Sequence, residues 1–102
     1  MDVATFLLRA EKLQKKGPLA LFTSEYRLLT REAEGAGDQL KAENAVLVKA
    51  GKPTPDCPPK KGSLSSSELL NGFRAIPAAD RPRMSVKDGM RIYLATKWPC
   101  WR

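Results

Sequence analysis

A chain of 102 residues with a 42% hydrophobic share and a net charge of +7 is the size of one modest domain with a single core. It contains no histidine, which removes the usual general base at neutral pH, the commonest metal ligand and every His-containing catalytic triad. No stretch approaches the roughly 18–20 apolar residues of a membrane span, and residues 3–8 are too short an apolar run for the core of a signal peptide.

Residues 2–16 predict a first helix. Val3, Phe6, Leu7, Ala10 and Leu13 share one face at helical spacing. Asp2 stands at the N-cap, Lys15 and Lys16 lie at the negative end of the dipole, and Gly17-Pro18 stops the helix. Residues 18–22 read as a short helical turn. Thr23 or Ser24 then caps a longer helix reaching about Ala50, with an apolar stripe of Tyr26, Leu29, Ala33, Ala36, Leu40 and Leu47. Gly35 and Gly37 within it each cost about 1 kcal/mol relative to Ala; they mark either a bend or a close approach by another helix. The acids Glu32, Glu34 and Asp38 on this helix read as intrahelical partners of Arg31 and Lys41, not as acid–base machinery.

Residues 51–64 form a linker. Pro53, Pro55, Pro58 and Pro59 exclude helix and central strand, and Lys52, Lys60 and Lys61 make it basic. Ser65 and Glu68 then form the S-x-x-E capping box, with Leu64 and Leu69 as its hydrophobic staple, and the helix they open ends before Pro77. Residues 77–83 are a turn. Ser85 with Asp88 repeats a weaker box and opens a last helix from Val86 to about Lys97. There Val86, Met90, Tyr93, Leu94 and the stem of Lys97 share a face. No alternating strand pattern and no internal repeat stands out. The expected fold is all-α, a small bundle of four to five helices with one disulfide. Its single domain, residues 1–102, has an N-terminal helical pair (2–50), the Pro-rich linker (51–64) and a C-terminal pair (65–100).

Two cysteines without histidine do not make a zinc site, and they are not C-x-x-C. No histidine is present to activate either as a nucleophile. A disulfide and two buried thiols remain. Cys57 and Cys100 both border proline just outside predicted helices, in segments that otherwise lack an anchor, which favours the disulfide. Its loop of about 44 residues corresponds to roughly 4 kcal/mol in the chain-entropy description, and it points to an oxidising compartment such as a periplasm.

Cys57-Pro58-Pro59, the Ser-rich helix start at residues 65–70, and a last helix closing on Trp98-Pro99-Cys100 match a pattern of C-x-P, two helices and an aromatic-Pro-Cys ending. In this stretch, about two fifths of the chain, the sequence resembles the Rap/Tai type VI secretion immunity proteins, small exported bacterial proteins more distantly grouped with the acid-stress chaperone HdeA. Residues 2–50 look like the N-terminal half of exported proteobacterial proteins and carry no immunity signature. The resemblance implies an all-helical domain, a bridge from Cys57 to Cys100, periplasmic location, no cofactor and no catalytic residue; export in turn requires that a signal has been removed, and whether Met1 stands in its place is left open by the sequence.

Charge is uneven. Residues 1–50 hold eight Lys/Arg against seven Asp/Glu, and residues 51–102 ten against four. The basic half offers a candidate interaction surface of Arg74, Arg81, Arg83, Lys87 and Arg91 for a protein partner with an acidic face. Lys87 and Arg91 line one stripe of the last helix, with Arg83 just before it. The expected function is a non-enzymatic, periplasmic protein-binding module of immunity-like type. A basic nucleic-acid-binding domain and an HdeA-like chaperone are the alternatives. Nucleic acid is disfavoured by the eleven acids and by the scarcity of aromatics for base stacking, Trp101 being the obvious one. Trp98 and Trp101 could also anchor at a membrane interface. Packing of Trp98 on the core beside the disulfide, with Trp101 frayed, is the expected arrangement.

Overall fold

The computed structural model describes residues 1–100. Over them the chain is all-α: α1 (Val3–Lys15), a 3-10 turn (Gly17–Phe22), α2 (Ser24–Lys49), α3 (Ser66–Arg74), a 3-10 turn (Arg81–Arg83) and α4 (Val86–Lys97). The caps are those the local sequence dictates. Asp2 Oδ1 accepts the Thr5 N–H at 2.7 Å. Thr23, not Ser24, caps α2, its hydroxyl accepting the Tyr26 N–H at 3.1 Å. Ser65 and Glu68 complete the reciprocal capping box. Ser85 accepts the Asp88 N–H at 3.1 Å. Gly17 at φ 72° and Gly51 at φ 70° follow α1 and α2, the left-handed geometry that ends helices without a β-carbon penalty.

One core draws on every helix. Val3, Phe6, Leu7, Ala10 and Leu13 come from α1, and Leu29, Ala36 and Leu40 from α2. Leu69, Leu70 and Phe73 come from α3, and Val86 and Met90 from α4. Phe6 and Phe73 meet edge to face at 5.6 Å, the arrangement their quadrupoles favour. The starts of α1 and α4 lie side by side, joined by an isolated antiparallel bridge between Asp2 and Ser85. Within it, the Val3 N–H donates to Met84 O at 2.8 Å and the Val86 N–H to Met1 O at 3.0 Å.

Two expectations for α2 need correction. The helix runs unbroken through Gly35 and Gly37. A β-carbon at Gly35 would meet nothing within 4 Å, and one at Gly37 would make only an ordinary 3.8 Å contact with Met90 Sδ. No tight crossing occurs there. The tight crossings are at Gly72, where a β-carbon would lie 2.6 Å from Tyr93, and at Gly89, 2.7 Å from Val3. Leu47 is only half-buried, and Val46 and Val48 are exposed. With 26 residues, α2 has about twice the length of α1 or α4, so its last turns outrun the helices that could cover them.

The linker is tied down at both faces. Cys57 and Cys100 form the disulfide, with Cα atoms 5.1 Å apart. Beside it the Cys57 N–H donates to Trp98 O at 2.8 Å. Asn44 on α2 donates to the Asp56 carboxylate at 3.1 Å. No helix among the described residues is long and apolar enough to cross a membrane.

Candidate functional site

The five cations of the candidate surface are dispersed by the fold, and four are engaged within the chain. Arg74 donates to Glu11 and Gln14 of α1 and to Asn71 of its own helix. Arg81 turns back onto the end of α3, donating to Ile76 O at 2.9 Å and Arg74 O at 2.6 Å; it satisfies carbonyls a helix end leaves open. Lys87 and Arg91 do share a stripe of α4, but it faces α2. Both donate to Glu43, at 2.8 and 2.6 Å. Arg83 is exposed, and its side chain has no hydrogen-bond or ion-pair partner among the described residues. No ion pair joins Glu34 or Asp38 to Arg31 or Lys41 among those residues either; α2 uses Glu25, Glu43 and Glu32 instead, the last accepting from the Met1 ammonium at 3.2 Å.

These contacts set the electrostatics. Hydrogen bonds from Lys87 and Arg91 hold the Glu43 carboxyl below its ordinary pKa. Arg9 does the same to Glu25, pinning α1 to α2. Glu68 is drawn down to about 2, first by the Lys97 ammonium and then by the Ser65 N–H of its own capping box. Burial, followed by its hydrogen bond to Glu68, raises the Tyr93 phenol.

The fold leaves one large concavity, a groove of about 950 Å³ along α2. Leu29, Leu40, Leu69, Leu70 and Met90 form its floor, and Tyr26, Ala33, Leu64, Leu94 and Trp98 are half-buried lining. The linker supplies one wall through Pro58, Pro59, Lys60 and Gly62, and the turn before α2 closes one end with Pro18, Ala20 and Leu21. From Tyr26 to Asn44, α2 lines it for about 27 Å at the helical rise. Asn44 and Asp56 also line it. Asp56 is only 3% exposed, and the Asn44 side-chain oxygen is buried with no hydrogen-bond partner among the described residues. Trp98 is half-buried; its carbonyl accepts the Cys57 N–H beside the disulfide, while its ring lies against Gly62 of the linker with the Lys97 ammonium 4.8 Å from its centroid; Trp101 lies outside the described residues.

Sequence reading found the stripe of α2 but not the groove, because the stripe carries no signal for which part stays uncovered. Among the described residues, no group of three or more carboxylate or thiol side chains is placed to hold a metal ion. Fold and concavity together define a disulfide-bridged helical protein with an apolar groove. No family model, curated protein or solved structure matches the chain.

Proposed function

We propose that this protein is an exported, non-enzymatic module that binds an apolar segment of a protein partner in the groove along α2. The groove carries this reading: it is concave, mostly apolar, and bordered by the linker that Asn44 and Asp56 fasten to α2. Its 27 Å length takes about eight residues of extended chain. Arg74, Arg81, Lys87 and Arg91 then serve as braces that hold the groove walls, and Arg83 remains available to an acidic group on the partner. The Cys57–Cys100 disulfide supports an oxidising compartment, and the periplasm suggested by the Rap/Tai resemblance is the natural one. An immunity-like role, occlusion of another protein by surface fit, needs no chemistry beyond this.

HdeA-like, acid-gated binding is the second reading. It is favoured by the carboxylate clamps Arg9–Glu25, Glu43–Lys87/Arg91 and Glu68–Lys97, which join neighbouring helices around the groove.

Site-directed photo-crosslinking tests the main reading. A crosslinking side chain at Ser66, on the groove rim, should capture one dominant protein from a cell-envelope extract of the source organism. The same group at Asp80, away from the groove, should not. Equal capture at both positions, or at neither, contradicts the proposal.

A further inference from the structure

The turn joining α1 to α2 carries the two most exposed large apolar side chains among the described residues, Phe22 at 79% and Leu19 at 74%, with Leu21 at 57% between them. The turn is fixed rather than frayed. Ala20 is buried in the core, and its carbonyl accepts both the Thr23 hydroxyl at 2.7 Å and the Thr23 N–H at 3.1 Å.

The charge around it has one sign. Lys12, Lys15, Lys16 and Arg27 are exposed, and no side-chain hydrogen bond or ion pair engages them among the described residues. The acids between residues 8 and 28 are Glu11 and Glu25, and each is held by an arginine, Arg74 and Arg9 respectively. The turn also stands at a pole of the molecule. At the helical rise α2 spans about 39 Å, most of the 46 Å long axis, and the turn sits at its N-terminal end.

We infer that this pole docks on a bilayer bearing anionic phospholipids, with Leu19 and Phe22 entering the acyl boundary and Lys12, Lys15 and Lys16 meeting the headgroups. Lipid fits better than protein because Leu19 and Phe22 stand outside the groove, and a fluid interface accepts exposed apolar side chains without a preformed pocket. A second copy fits worse, because two-fold pairing would bring the lysine cluster against itself.

Co-sedimentation with vesicles tests the inference. The protein should pellet with vesicles of phosphatidylcholine and phosphatidylglycerol in equal parts, weakly with phosphatidylcholine alone, and be released by salt. Leu19→Ser with Phe22→Asp should weaken binding at least about tenfold. Lys15→Glu with Lys16→Glu should cost about fivefold or more per site, while Lys60→Glu with Lys61→Glu, on the linker, should leave binding in place. These side chains are exposed, and circular dichroism checks that each variant is folded. Three results would overturn the inference: no pelleting with the anionic vesicles, an equal loss from the linker variant, or a concentration-dependent dimer that Phe22→Asp dissolves while vesicle binding is absent.

Discussion

Gly89 has no room for a side chain. A β-carbon there would lie 2.7 Å from Val3 Cγ2 and 3.1 Å from Phe73 Cε1, and Val3 and Phe73 are both fully buried, so neither can yield. Gly35 has nothing within 4 Å and sits inside α2. The same substitution should therefore act with opposite sign at the two positions. Gly89→Ala should destabilise by about 1–3 kcal/mol through overpacking. Gly35→Ala should stabilise by up to about 1 kcal/mol through helix propensity. Urea denaturation of both variants checks this, and changes of the same sign would refute it. The contrast also marks what a sequence can carry at this scale. Gly35 and Gly37 stand out because glycine is costly inside a predicted helix, whereas Gly72 and Gly89 are set apart only by which residues cross them, and those lie far away in the chain. Asn44 and Asp56 likewise gain their meaning only when the linker folds back on α2.

At the scale of elements, the helices were legible because their signals are local. Asp2, Thr23, Ser65 and Ser85 each cap a backbone N–H three residues on, and Gly17 and Gly51 stop the helices before them. The braces between helices were not legible. Glu43 reaches Lys87 and Arg91 across separations of 44 and 48 residues, and a basic stripe read alone looks like a surface awaiting a partner. Glu68 shows both kinds of signal at once, since its capping box was visible and its bonds to Tyr93 and Lys97 were not. The folded state lowers this carboxyl from 4.5 to about 2, so its stabilising contribution is fully present above pH 4.5 and is lost as the pH falls through the folded value. Glu25 and Glu43 shift in the same direction. Thermal stability should therefore fall on acidification below the ordinary carboxylate range, and Glu68→Gln should flatten part of that fall. Melting temperatures measured across acid pH check it; a slope that Glu68→Gln leaves unchanged would count against the Lys97–Glu68 brace.

At the scale of the whole molecule, three short helices and one long one leave an apolar face that the linker, not a helix, must border. The disulfide fastens that linker to the end of α4. Cys57→Ser with Cys100→Ser should lower stability by about 2–4 kcal/mol, measured by urea denaturation. Loss of under about 1 kcal/mol would mean that Asn44–Asp56 and the Cys57–Trp98 backbone bond hold the linker unaided. The bridge itself was legible, since proline-bordered cysteines without histidine left few other roles. The groove was not, because it arises where α2 meets the linker and the other helices, contacts between distant stretches of chain that no local motif records.

The most direct measurement of the central claim is the affinity of the crosslinked partner, once purified, for the oxidised protein and for its Ala33→Trp variant. Ala33 lies half-buried on the groove wall, so the indole fills the groove. Titration calorimetry should show affinity falling by at least about tenfold in a variant that remains folded, equivalent to ~1.4 kcal/mol. Unchanged affinity would place the partner elsewhere on the molecule and contradict the groove as its binding site.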